Sequence, residues 1–158
     1  MAEIPDNLTR EFLLKNREYD IGSPFHHWRA LPWKQVVLLE VSGTWELSDC
    51  PYYMKEIWDI FSERREHYEK VYLLINANAM DIQSEGFRQY LKESWGHLLD
   101  REDLVICLIE EKAMKRAIWS SIYRLIGKRD RIKIFAGYEG AFVWLTQRLR
   151  AEVDVPHD

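Results

Sequence analysis

The chain has 158 residues, one domain's length, and its 47% hydrophobic and 30% charged residues supply both a core and a solvated surface, which excludes a disordered chain. A formal net charge of -4 excludes whole-molecule attraction to nucleic acid or to an anionic membrane. Two cysteines, Cys50 and Cys107, make neither a disulfide framework nor a metal-ligand spacing, so both are expected as reduced thiols of a cytoplasmic protein.

In chain order, residues 1–24 read as an N-terminal appendage. Asp6 or Asn7 is placed to cap a short helix with Leu8 and Phe12 on one face. The apolar run Phe12-Leu13-Leu14 is too short for a signal sequence, and no stretch reaches the roughly 20 apolar residues of a membrane span. Gly22-Ser23-Pro24 breaks the chain, and a weak strand is expected from His26 to Leu31, ended by Pro32. Val36 to Val41 is a β-branched strand stopped by Ser42-Gly43. Asp49 and Pro51 then start a helix whose Met54, Ile57, Trp58 and Phe61 share one face. Val71 to Ile75 is the next strand, followed by the polar stretch NANAMDIQSEGF, residues 76 to 87. From Ser84 a second helical stripe runs through Phe87, Tyr90, Leu91 and Trp95. Leu104 to Ile109 is apolar without alternation, as suits a strand covered on both faces. Ala113 to Ile126 is a helix with Met114, Ile118, Ile122 and Leu125 expected inward and Gly127 as its stop. Ile132 to Phe135 is a last strand, and Tyr138 to Arg150 a last helix with Ala141, Phe142, Leu145 and Leu149 on one side.

The order β-β-α-β-α-β-α-β-α predicts an α/β fold. Its sheet has four to five strands, mixed but mainly parallel, with right-handed crossovers and an antiparallel first pair. The domain is expected over residues 25–150, with a tail at 151–158.

This order resembles the STAS domain, the fold of bacterial anti-sigma-factor antagonists, and within it the SpoIIAA-like proteins. The likeness rests on VVLLEVSGTWELSDCPYYMKEIW at 36 to 58, VYLLINANAMDIQSEGFRQYL at 71 to 91 and IKIFAGYEGAFVWL at 132 to 145. In the last of these, Gly140 separates Glu139 from Ala141, where the family's motif has Glu followed directly by Ala. Antagonists of this type carry Asp-Ser-Ser-Gly after the corresponding strand, and a partner kinase phosphorylates the second Ser. If Gly86 matches that Gly, the resemblance aligns Gln83, Ser84 and Glu85 with the switch, and Glu85 occupies the phosphoacceptor position.

The candidate contact residues are Asn76, Asn78, Asp81, Ser84 and Glu85, because ligands of open α/β sheets gather beyond the carboxyl ends of the strands. Against this, Asn, Asp and Ser at such a junction also serve as turn and cap residues. Trp119 joins the candidates: it lies off the expected inward stripe of its helix, so it is expected to be partly exposed at an interface or a pocket rim. His26-His27 is a poor metal pair, since adjacent strand residues point to opposite faces. Glu110 to Lys133 holds eight Lys/Arg and three acids, a local +5 that suits an acidic partner or a solvated helix. No nucleophile-base pair, phosphate loop or cofactor motif is recognisable, and no catalytic residue, metal or cofactor is assigned. The expectation is a non-enzymatic regulatory module acting through an unidentified protein partner, with a homodimer expected as well and no nucleic acid. The alternative is a small-molecule or lipid-binding domain in which part of the 13% aromatic content, seven Trp included, lines a pocket for a small apolar ligand.

Overall fold

The computed structural model describes residues 5–6, 8–18, 21–22, 28–44, 47–48, 50–81, 89–95, 102–126 and 131–153. Its elements are α1 (Arg10–Asn16), β1 (Ile21–Gly22), β2 (Trp28–Trp33), β3 (Val36–Thr44), α2 (Cys50–Arg65), β4 (Val71–Asp81), α3 (89–95), β5 (Leu104–Ile109), α4 (Ala113–Ile126), β6 (Ile132–Phe135) and α5 (Tyr138–Val153). The strands form one sheet in the order β1-β2-β3-β4-β5-β6. β1–β2 and β2–β3 are antiparallel, and β3–β4, β4–β5 and β5–β6 are parallel. The fold is therefore α/β with a mixed sheet.

Strand order equals chain order, so successive crossovers step across the sheet in one direction. Right-handed crossovers then place α2, α3 and α4 on the same face. That face is one core: Met54, Ile57 and Phe61 of α2, Leu91 and Trp95 of α3, and Trp119, Ile122 and Tyr123 of α4 cover Val37, Leu39, Leu73, Ile75, Ile106 and Leu108. The other face is closed by the helices at the two ends of the chain. Leu13 of α1 and Phe142, Leu145 and Leu149 of α5 cover Leu31, Val36, Leu38, Tyr72, Leu74, Val105 and Cys107. Every residue of β5 is buried, as its unbroken apolar run requires of a strand covered on both sides.

Several expected boundaries move. Thr9, not Asp6 or Asn7, caps α1: its Oγ1 accepts from the Phe12 amide at 3.0 Å. The segment read as an appendage places Leu8 and Leu13, 1% and 0% exposed, in the second core. β2 runs through Pro32 to Trp33. Pro32 turns its carbonyl away from β3, where it accepts from the Glu18 amide at 2.9 Å, so its missing N–H lies on that side and costs the β2–β3 ladder no bond. α5 continues to Val153, into the stretch read as a tail.

The β2–β3 hairpin turns at Lys34, whose φ of 49° is left-handed for a residue with a side chain. Neighbours hold the turn. Glu18 accepts from the Lys34 amide at 3.1 Å, and Arg64, 2% exposed, donates to the Lys34 carbonyl at 2.9 Å and pairs with Glu18 at 2.7 Å.

The largest difference from expectation is at the carboxyl end of the sheet. β3 extends to Thr44 and β4 to Asp81, so NANAMD is strand, not loop. Ser42, Gly43 and Thr44 pair with Ala79, Met80 and Asp81, beyond the end of the β4–β5 pairing at Asn76–Ile109. Between Glu40–Asn76 and Ser42–Ala79, two steps along β3 are matched by three along β4. That is a β-bulge, and it flips side-chain parity. Met80 thereby joins Leu73, Ile75 and Ala77 in the first core, and Asp81 is exposed.

Candidate functional site

The carboxyl ends of β3, β4 and β5 carry the densest polar network of the described residues. It grows from strand periodicity. Val36 and Leu38 of β3, and Tyr72 and Leu74 of β4, face α1 and α5. The next position on that face is Glu40 on one strand and Asn76 on the other, and these two are register partners. The face therefore turns polar at the same level on both strands.

Arg10 of α1 grips Glu40 with two parallel bonds, Nε to Oε2 at 3.0 Å and a terminal nitrogen to Oε1 at 2.8 Å. The Tyr138 hydroxyl, from the first turn of α5, donates to Glu40 Oε2 at 2.6 Å and accepts from Asn76 Nδ2 at 2.6 Å. Its ring stacks on Phe142 at 5.6 Å between centroids, which fixes the hydroxyl. Burial alone would raise the Glu40 carboxyl. The hydrogen bonds from Arg10 and Tyr138 and the charges of Arg10 and Arg29 outweigh it and hold Glu40 below the ordinary 4.5. The Tyr138 phenol is pushed well up, by burial first and then by its bond to Glu40, so it stays a protonated donor. The network thus ties α1 and α5 to the sheet through one ionised carboxylate.

The second half of the network satisfies the bulge. Ala77 and Asn78 fall in the gap of the β3–β4 pairing and beyond the end of the β4–β5 pairing. Lys115 of α4 donates to the Ala77 and Asn78 carbonyls, each at 3.1 Å. The Asn78 amide donates to Asn76 Oδ1 at 3.0 Å. Asn78 Oδ1 accepts from the Glu111 amide at 2.7 Å, which ties β4 to the start of α4. Glu110, fully buried, accepts from the Lys112 amide at 3.0 Å. Its Oε2 lies 3.0 Å from Lys115 Nζ, an ion pair outside hydrogen-bonding angles. Arg116 donates to the carbonyls of Glu110 and Glu111 at 3.0 and 2.6 Å. The disrupted ladder is therefore bonded again by side chains, as buried backbone requires.

Of the candidates, Asn76 and Asn78 come together here, in structural roles. Asp81 ends β4, exposed, with Thr44 Oγ1 donating to it at 3.5 Å. Ser84 and Glu85, with Gln83 and Gly86, lie outside the described residues, as does the His26-His27 pair. Trp119 is a correction: it is 3% exposed, inside the first core, with its ring 6.1 Å from Tyr123. The inward arc of α4 runs through Ile118, Trp119, Ile122 and Tyr123, and Met114, expected inward, is 80% exposed. At about 100° per residue, Met114 lies roughly a third of a turn from the centre of that arc. The strict four-residue series 114, 118, 122 drifts off the face that the helix buries.

Aromatic residues do line an interior space, with Trp95, Trp119 and Tyr123 around it. Its volume is about 20 Å³, room for about one water. The exposed large apolar side chains among the described residues are Leu47, Tyr52, Met114 and Val143. Leu47 and Tyr52 follow β3 and Met114 follows β5, so three of the four lie at the same carboxyl end. Glu40, Arg10, Tyr138 and Lys115 were not predicted as site residues. A single acid interrupting VVLLEV was the one visible signal. No protein-family model and no curated protein matches the chain. No helix among the described residues is long and apolar enough to cross a membrane.

Proposed function

We propose that this protein is a non-catalytic regulatory module of the STAS, SpoIIAA-like type that acts by protein–protein contact through the carboxyl end of its sheet. The observation that carries the reading is the exposure of Leu47, Tyr52 and Met114, at 50%, 58% and 80%, around a rim whose polar groups are bonded to one another. Exposed apolar side chains on segments that leave a braced frame are what a contact surface presents. The STAS assignment is supported by the antiparallel pair β2–β3 followed by three parallel steps. In this reading Glu85 sits where such antagonists carry the phosphorylated Ser. It supplies a permanent -1 in place of the -1.5 to -2 of a phosphate, so the contact is constitutive rather than kinase-switched.

Photo-crosslinking in the native host tests the contact. A benzophenone side chain at Leu47 or Met114 yields a discrete adduct, and one at the exposed Gln147 of α5, on the other face of the sheet, yields none. An adduct of twice the chain's mass identifies the partner as a second copy, which sedimentation then confirms. Absence of adducts at Leu47 and Met114, or equal adducts at Gln147, refutes the face. Intact-mass analysis of protein from the same host finds no phosphate on the peptide holding Ser84, and stoichiometric phosphate there overturns the constitutive reading.

A further inference from the structure

β6 is the last strand of the sheet and pairs on one side only, parallel to β5. The Arg131 and Phe135 carbonyls accept from the Ile106 and Glu110 amides at 2.8 and 3.0 Å. In such a ladder alternate residues bond the same neighbour, so Arg131, Lys133 and Phe135 turn their backbone groups to β5. Ile132 and Ile134 therefore turn their N–H and C=O groups outward, and among the described residues nothing bonds them. No proline and no bulge blunts this edge. Each flank of it offers a different surface. On the first face an open groove of about 420 Å³ runs beside Ile132 and Ile134. On the second face the rings of Phe135 and Trp144, both partly exposed, lie 6.0 Å apart, and Arg148 sits over Trp144 at 5.3 Å. Lys133 shares that face: it is the register partner of Cys107, and its charge and that of Arg148 both reach the Cys107 thiol. The edge is thus apolar on one flank and cationic on the other.

We propose that an extended segment of an acidic partner protein adds to the sheet at β6, with apolar side chains in the groove and acidic ones over Lys133 and Arg148. The outward backbone groups of Ile132 and Ile134 supply the bonds, and the two flanks select the side chains. Strand side chains alternate between faces, so the fitting segment alternates apolar and acidic residues. The cations decide the occupant. A second copy of this chain, paired antiparallel through Ile132 and Ile134 within the strand, would set Lys133 opposite its own symmetry mate. Like charges directly opposite destabilise a strand pair, and opposite charges stabilise it. The edge is distinct from the Leu47, Tyr52 and Met114 rim, so a failure of crosslinking there leaves this site standing.

Amide-resolved NMR of the full chain tests the assignment, with the peptide acetyl-Gly-Val-Glu-Val-Glu-Val-Gly-amide as the probe. In the free protein the Ile132 and Ile134 amides should exchange with solvent faster than those of Lys133 and Phe135, which β5 holds. The peptide should shift the Ile132 and Ile134 amides saturably and slow their exchange. The same peptide with Lys in place of Glu should bind about tenfold more weakly, because two attractive pairs become repulsive. A version N-methylated at its Val and Glu amides should bind more weakly by at least as much, since it has lost its donors. Lys133→Glu should reverse the preference between the two charged peptides. Absence of saturable shifts with the acidic peptide, equal binding of the lysine or N-methylated peptide, an unchanged preference in Lys133→Glu, or slow exchange at Ile132 and Ile134 in the free chain would overturn the proposal. Shifts of these two amides with protein concentration alone would overturn it as well, since a second copy would then hold the edge.

Discussion

At the scale of single residues, Trp119 and Met114 exchange the roles that their spacing predicts. Trp119 is 3% exposed and Met114 80%. Trp119→Ala should therefore cost about 3–5 kcal/mol, as deletion of a buried aromatic does. Met114→Ala should stay within about 0.5 kcal/mol. Urea unfolding measures both, and a loss under about 1 kcal/mol at Trp119 would contradict its burial. Glu40 gives a second prediction, in pH. Its folded-state pKa is depressed, so its ionisation stabilises the protein fully above the ordinary value of 4.5. That contribution fades as pH falls through 4.5 towards the lower folded value. The stability difference between the wild type and Glu40→Gln should accordingly be flat from pH 7 to about 5.5 and shrink below it. A difference that grows on acidification would show that burial, not Arg10 and Tyr138, dominates the carboxylate.

Elements show what single residues do not. α1 has only seven residues, too short to stand alone in water, and its stability comes from packing. Leu13, fully buried, anchors it, and Arg10 ties it to β3. Leu13→Ala should cost about 2–5 kcal/mol. Removal of residues 1–17 should uncover Leu31, Leu38 and Trp33 and abolish cooperative unfolding, whereas retention of a sharp transition would make α1 a dispensable extension. On the other side of the rim, Lys115 is the counter-charge of the fully buried Glu110 and the donor to the bulge carbonyls. Removing one partner of a buried pair strands the other, so Lys115→Met should cost about 3–5 kcal/mol. Adding Glu110→Gln to Lys115→Met should recover part of that loss. Strict additivity of the two single changes would show that the pair is not coupled.

For the whole molecule, two closed faces leave no thiol accessible. Cys50 and Cys107 are 1% and 0% exposed, in different cores, and burial pushes the Cys107 thiol up to about 12. Native protein should therefore react with a maleimide no faster than it unfolds, and both thiols should label at once in denaturant. Rapid labelling of Cys107 in the native state would mean that α5 opens from the sheet. The alternation of strands and helices was legible because each crossover is a local βαβ step with its own periodicity. Leu104–Ile109, Ala113–Ile126 and Ile132–Phe135 are observed at their expected limits.

By itself the sequence determined the α/β class, the antiparallel opening of the sheet and the inward stripes of α2 and α5, because short-range patterns of burial dictate those. It also marked residues 76 to 81 as polar. Only the tertiary structure decided what that polarity is for. Asn76 bonds Tyr138, 62 residues away, and the Asn78 carbonyl accepts from Lys115, 37 residues away. No local pattern encodes such partners. Neither the bulge that turns Met80 inward nor the helix rotation that buries Trp119 is set within its own element. Both are fixed by what lies across the sheet, where the free energy of closing a core outweighs the preference of any one segment.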